Sequence, residues 1–256
     1  MLSYWESESF LKHDIVIIGG GIVGMSVAAS IAERNPDTQI TILERSIFPY
    51  GASTRNAGFA CFGSLTEILA DLETMGEEAA RELLFQRWMG LQITRKRLGD
   101  ATIGFEELGG FELIPNTDNA LNALEKINEL VADFIPEYLT DATNELERFG
   151  LKQSNHKLIR MAQEGQVNTG RLIRSLQQYV SKLGIEIRTG VEVKAISEDG
   201  TAITLLDHHR NELTITCNKS VICTNAFTST LLPNTKLVPG RGQVFITKPF
   251  QDLKFQ

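Results

Sequence analysis

The opening of the chain constrains its fold more than anything that follows. Asp14-Ile15-Val16-Ile17-Ile18 is a short, continuously apolar run rich in β-branched residues, and it leads directly into Gly19-Gly20-Gly21-Ile22-Val23-Gly24. An apolar run without alternation reads as a strand buried on both faces, as in a parallel sheet. The glycines open a helix with Val27, Ala28 and Ile31 on its inner face, and Asn35-Pro36-Asp37 stops it. Ile40-Thr41-Ile42-Leu43-Glu44 follows as a second strand. A strand-helix-strand unit is therefore complete at the start, which predicts an α/β, Rossmann-like fold.

The glycine spacing carries chemistry because of this setting. Gly19-x-Gly21-x-x-Gly24 alone is a weak pattern. Here a strand precedes it, a helix follows it, and an acidic residue ends the next strand. Gly19 permits the tight turn, Gly21 lets backbone approach a pyrophosphate, and Gly24 lets helix and strand pack closely. The amides of the helix start, with the helix dipole behind them, suit anionic phosphates. Glu44 is placed to accept hydrogen bonds from an adenosine ribose, and its charge would repel a 2′-phosphate, disfavouring NADP. The motif indicates a dinucleotide without choosing between NAD and FAD. The competing reading is a glycine-rich turn with no ligand.

Beyond this unit lies a second glycine-rich stretch, Gly51-Ala52-Ser53-Thr54-Arg55-Asn56-Ala57-Gly58. Apolar spacing predicts a long helix over Glu77 to Leu98 (Leu84, Trp88, Leu91) and another over about Asn119 to Phe134 (Leu121, Leu124, Ile127, Leu130). Between them, Gly109 to Ile114 reads as a strand ended by Pro115. Asn168 or Thr169 can cap a helix carrying Leu172, Ile173, Leu176, Val180 and Leu183, closed by Gly184. Ile185-Glu186-Ile187 is a third short strand. Alternating runs around Val193, Ile203 and Ile215 predict a small antiparallel β-meander. Val221-Ile222-Cys223-Thr224 is continuous again and should return to the buried sheet, and Gly242 to Thr247 is expected as a final strand.

Composition excludes several function classes. The chain has 256 residues, is 42% hydrophobic and carries a net charge of -7, which argues against a nucleic-acid surface. Its one basic cluster, Arg95-Lys96-Arg97, ends a predicted helix, where cations meet the negative dipole end. Three cysteines (Cys61, Cys217, Cys223) form no CxxC pair and suit a reducing compartment. The histidines are His13, His156 and His208-His209, and no ligand spacing for a metal is present. No apolar run approaches the roughly 20 residues needed to span a bilayer. A cytoplasmic protein is expected. Cys61 is expected as a small buried hydrophobe rather than a reactive thiol.

The second glycine-rich loop resembles the second flavin-contact loop of the D-amino-acid-oxidase-like (DAO) FAD-dependent oxidoreductases. The similarity continues through Val167-Asn168-Thr169-Gly170-Arg171-Leu172, Gly190-Val191-Glu192-Val193, Val221-Ile222-Cys223-Thr224-Asn225-Ala226-Phe227 and Leu237-Val238-Pro239-Gly240-Arg241-Gly242-Gln243. Ser3-Tyr4-Trp5 resembles the lead of the subgroup related to gamma-glutamylputrescine oxidoreductase.

This resemblance implies FAD as cofactor and a set of contacts. Gly19, Gly21, Ile22, Val23 and Gly24 would hold the pyrophosphate, and Glu44 with Arg45 the adenosine ribose. Ala52, Ser53, Thr54, Asn56, Ala57 and Gly58 would line the pyrophosphate, ribityl chain and flavin edge. The alternative for Ser53 and Asn56 is a turn that needs only Asx-type hydrogen bonds. The Val193 backbone would meet adenine, while Thr224, Asn225 and Ala226 would close over the dinucleotide. The implied reaction is oxidation of a small-molecule amine, amino acid or 2-hydroxy acid by hydride transfer to flavin. The alternatives are a non-catalytic FAD-binding remnant or an NAD-dependent dehydrogenase.

The resemblance implies a longer chain, whose C-terminal segment is expected to lie beyond the residues given. No catalytic residue is therefore assigned; Arg241 reads equally as a substrate contact or a structural residue. The expected layout is an FAD-binding domain over 1–103 and 163–230, with an incomplete α+β substrate domain over 104–162 and 231–256. An unpaired sheet edge would leave the isolated chain poorly stable, deficient in FAD, or a homo-oligomer through that edge.

Overall fold

The computed structural model describes residues 3–116, 118–151, 155–206, 210–240 and 242–247. The His208-His209 pair, Arg241 and the terminal Phe255-Gln256 lie outside the described residues. In chain order the elements begin with α1 (Tyr4–Phe10), β1 (Lys12–Ile18), α2 (Ile22–Arg34), β2 (Ile40–Glu44) and β3 (Phe59–Ala60). Next come α3 (Leu65–Met75), α4 (Glu77–Leu98), α5 (Asp100–Ile103), β4 (Gly110–Pro115), α6 (Asp118–Val131), β5 (Leu139–Asp141), β6 (His156–Met161) and β7 (Gly165–Gln166). The last group is α7 (Thr169–Lys182), β8 (Glu186–Thr189), β9 (Glu192–Ile196), β10 (Ala202–Leu206), β11 (Glu212–Ile222) and α8 (Thr228–Leu231).

The chain divides into two compact units, one of residues 1–57 and 169–244, the other of 58–168 and 245–256. The first is built on a six-stranded sheet of order β8-β2-β1-β11-β10-β9. β8, β2, β1 and β11 run parallel, and β10 and β9 complete the sheet antiparallel. Val16, Ile17 and Ile18 are all buried, as a strand covered on both faces requires. Val16 and Ile18 join Leu43, Ile203 and Ile215 in one apolar cluster. The inner face of α2 contributes Met25, Ala28, Ala29 and Ala32. α7 packs beside α2 through its buried stripe of Leu172, Ile173, Leu176 and Val180, and Tyr179 donates a 2.7 Å hydrogen bond to Glu33.

The expected meander and the expected return to the parallel sheet meet in one strand. β11 pairs antiparallel with β10 from Glu212 to Thr216, and parallel with β1 from Thr216 to Ile222. A β strand has two hydrogen-bonding edges, so one long segment serves both neighbours.

The second unit holds a three-stranded antiparallel sheet, β4-β6-β5, and the β3-β7 pair. Its core joins Phe62, Leu65 and Leu84 to Ile127, Phe134, Tyr138 and Ile159, with Trp88 packed alongside. These packing partners place α4 here rather than with the nucleotide-binding part, so the units divide at 57/58 and 168/169 instead of the expected boundaries. Residues 242–247 form no strand: Phe245 and Ile246 are exposed, and the segment pairs with no strand among the described residues. A short apolar run alone does not make a strand, because its backbone groups need a partner edge.

Candidate functional site

In the first unit a cleft of about 380 Å³ opens beyond the carboxyl ends of β1, β2 and β11. This is where open α/β sheets place their ligands. Gly19 follows β1 with φ of +110°, a conformation that L side chains rarely adopt. A Cβ on Gly24 would stand 1.9 Å from the Gly19 carbonyl oxygen, so only glycine lets α2 approach the turn this closely. Gly24 thus shapes the site from beneath, while Gly19, Gly21, Ile22 and Val23 line it.

Helix α2 starts with Gly21 as its N-cap, which brings no capping side chain. The Ile22 amide instead donates to Ser53 Oγ at 2.9 Å. Ser53 therefore caps α2 across the cleft, a role beyond the Asx-type turn considered for it. The turn bonds are made by Asn56, whose Nδ2 donates to the Ala52 and Ser53 carbonyls at 3.0 and 3.1 Å. Thr54 Oγ1 donates to the Pro49 carbonyl at 2.9 Å. Ala52, Ser53 and Asn56 line the cleft; Thr54 and Ala57 do not, and Gly58 falls in the other compact unit.

Glu44, 8% exposed, closes the end of β2. Its Oε2 accepts the Gly20 amide and its Oε1 the Ser46 amide, both at 3.0 Å. Two backbone donors fix the carboxylate at the cleft wall, leaving further lone pairs for ligand hydroxyls. The neighbouring Arg45 lays its guanidinium 3.8 Å from the centre of the Phe227 ring, a cation–π contact. Val193 lines the cleft from β9, and Thr224, Asn225 and Ala226 line it from the turn after β11. Sequence reasoning missed Phe227, Tyr50 and Leu231 in the lining. Phe227 follows a motif already singled out, but a lone aromatic carries no sign of facing a cleft.

The thiols offer no nucleophile. Burial pushes the Cys223 thiol up. Cys61 is exposed, contrary to expectation, yet desolvation and then the Glu164 and Glu67 carboxylates raise its thiol as well. Both stay protonated at neutral pH. Among the described residues, no group of three or more His, Cys, Asp or Glu could hold a metal ion.

The donor set suits an adenine dinucleotide. Helix-start amides suit phosphates, a fixed carboxylate suits sugar hydroxyls, and the volume lies within the roughly 300–1,000 Å³ of small-molecule and cofactor sites. Fold and cleft together define a dinucleotide-binding α/β protein. Over residues 14–256 the chain matches the family model of the FAD dependent oxidoreductases, DAO, and it belongs to that family.

The bifunctional protein ThiO/ThiG of Synechocystis sp. is 25% identical over 232 residues, covering 90% of this chain and 32% of that protein. Gamma-glutamylputrescine oxidoreductase of Escherichia coli is 30% identical over 116 residues, covering 45% of this chain and 27% of the enzyme. The crystal structure of glycine oxidase from Geobacillus kaustophilus superposes with a TM-score of 0.57 at 23% identity, covering 86% of this chain and 57% of that one. The chain thus spans between about a quarter and three-fifths of these relatives' lengths. Family membership makes FAD the cofactor of this class, in place of the nicotinamide alternative.

Proposed function

We propose that this chain is the cofactor-holding part of a flavoenzyme that oxidises a small amine, amino acid or 2-hydroxy acid. The observation that carries the reading is one cleft lined by the α2 start, the Glu44 carboxylate and the Ser53–Asn56 loop. Glu44 would hold the ribose hydroxyls with Arg45 beside it, and Gly21 to Val23 would receive the pyrophosphate. Ser53 and Asn56, with Thr54, Ala57 and Gly58 as the framework of their loop, would border the ribityl chain and flavin edge. The Val193 backbone would meet adenine, and the Thr224–Ala226 turn would close over the dinucleotide.

FAD, when bound, accepts the hydride leaving a carbon that bears an amine or hydroxyl. The relatives named for glycine and for gamma-glutamylputrescine support an amine-bearing substrate. Residues 104–162, within the second unit, would supply the substrate-facing layer. No helix among the described residues is long and apolar enough to cross a membrane. With three free cysteines, the chain's own chemistry supports a cytoplasmic home. Homo-oligomerisation is part of the same reading.

The test is titration with FAD, followed by anaerobic addition of amines, amino acids and 2-hydroxy acids to the full-length natural protein. Uptake of FAD and bleaching of its visible band by one of these classes is the expected result. A protein that binds no FAD refutes the reading. One that binds FAD but bleaches with none of the three classes is a non-catalytic holder.

A further inference from the structure

Among the described residues, Arg45 is the one cationic side chain lining the cleft of the first unit. Among the same residues its guanidinium makes no hydrogen bond and no ion pair. Its partner is the Phe227 ring, with the guanidinium carbon 3.8 Å from the ring centre. The neighbouring acid does not take it up, because both Glu44 oxygens are engaged by backbone amides. An aromatic face attracts the cation through its quadrupole and offers no lone pair. The N–H donors of Arg45 are therefore left for something other than the protein.

The two side chains reach the cleft from opposite sides of one strand. Arg45 directly follows β2, Phe227 lies between β11 and α8, and β2 and β11 flank β1 in the sheet. Their contact joins the two walls of the cleft beyond the end of β1. The turn that carries the ring is held by its own bonds. The Phe227 amide donates to the Thr224 carbonyl at 3.0 Å, and the Thr224 and Thr228 hydroxyls are hydrogen-bonded at 3.0 Å. Asn225 supplies the sharp bend with φ of +47°, a region that asparagine enters more readily than most residues. The ring is 49% exposed, so burial in the core does not account for it.

We infer that Phe227 is a positioning residue: it holds the Arg45 guanidinium at the cleft wall with its donors available to the adenosine half of a dinucleotide. It thereby favours ligands that carry that half. The identity of the ligand rests on the proposed function; the ordering of Arg45 by Phe227 stands without it. A loose arginine at a surface samples many rotamers and loses that freedom on binding, whereas one already held loses less.

The experiment uses the full-length natural protein as wild type, Phe227→Leu, Phe227→Trp, Arg45→Ala and the Arg45→Ala, Phe227→Leu double variant. Without ligand, order at Arg45 is read from 15N relaxation of its Nε–Hε pair. In parallel, FAD, adenosine diphosphate and FMN are titrated. Phe227→Leu keeps apolar bulk and removes the aromatic face, and at an exposed position it should melt with wild type. It is expected to mobilise the Arg45 Nε–Hε pair on the ps–ns timescale. FAD and adenosine diphosphate should each bind about threefold to fivefold more weakly, while FMN, which lacks the adenosine half, should bind as before. Phe227→Trp keeps an aromatic face and should hold order and affinity near wild type. In the Arg45→Ala background, Phe227→Leu should cost no further affinity, because a residue that acts through Arg45 then has nothing to act on.

An Arg45 side chain equally ordered with and without the ring overturns the inference. So does FMN affinity that falls as far as that of FAD, or a double variant whose losses simply add. If wild type takes up none of the three ligands, the proposed function falls, and the relaxation of Arg45 still decides whether Phe227 holds it.

Discussion

Replacing Glu44 with glutamine tests the site at its most informative atom pair. Each carboxylate oxygen accepts one backbone amide at 3.0 Å, from Gly20 and from Ser46. Glutamine offers one carbonyl oxygen and one NH2 group, so whichever way the amide turns, one backbone N–H faces another donor. The position is 8% exposed, and leaving a buried donor unpaired costs about 1–3 kcal/mol. For a protein of this size that corresponds to a loss of roughly 2–4 °C in Tm per kcal/mol.

On the proposed reading FAD should suffer as well, because its ribose would lose an acceptor oxygen and the Gly20 turn loses its anchor. With hydrogen bonds to charged groups worth about 1.5–3 kcal/mol, FAD affinity should drop between about tenfold and a hundredfold. The assay is quenching of flavin fluorescence on titration, read beside a melting curve without ligand. Glu44→Gln protein that melts with wild type and binds FAD as tightly would refute the reasoning at both points.

Three further outcomes follow from individual contacts. Ser53→Ala removes the acceptor of the Ile22 amide, so it should cost about 0.5–2 kcal/mol by denaturant unfolding; an unchanged midpoint would show that the cap contributes nothing. Gly24→Ala forces a methyl group to within 1.9 Å of the Gly19 carbonyl, and the required backbone shift should destabilise the fold by about 1–3 kcal/mol and abolish FAD uptake, checked by melting and titration. The last outcome is a pH dependence. Burial, the largest influence, raises the Glu164 carboxyl above its ordinary value, so the folded state holds this proton more tightly than the unfolded chain. Its contribution to stability is then full below the unfolded value and is lost as pH rises through the folded one. Glu164→Gln should flatten that part of the stability profile, and identical profiles would contradict the shift.

Much of the first unit was legible from residue pattern alone. Consecutive apolar residues from Ile15 to Ile18, glycines at fixed offsets and an acid at the end of β2 are local signals, each tied to a backbone requirement that any partner leaves unchanged. Helix α4 was readable for the same reason, its apolar spacing lying within one segment that glycines, Gly76 and Gly99, bound at both ends. Two other helices announced themselves and were overlooked: Ser3 with Glu6, and Ser64 with Glu67, each form a capping box. Short β6 and two-residue β7 carried too little pattern to be seen, since their length depends on the neighbours they pair with.

The sequence by itself determined that a strand-turn-helix crossover would form and that its glycines could admit a phosphate-bearing ligand, because those demands are steric and lie within a few bonds. Only the tertiary structure decided that Ser53 caps α2, that Arg45 lies over Phe227, that β11 joins meander to parallel sheet, and that Glu164 reaches back to Phe62. Each of these joins residues distant in the chain, and a contact between distant segments exists only once the packing of the whole unit has brought their surfaces together.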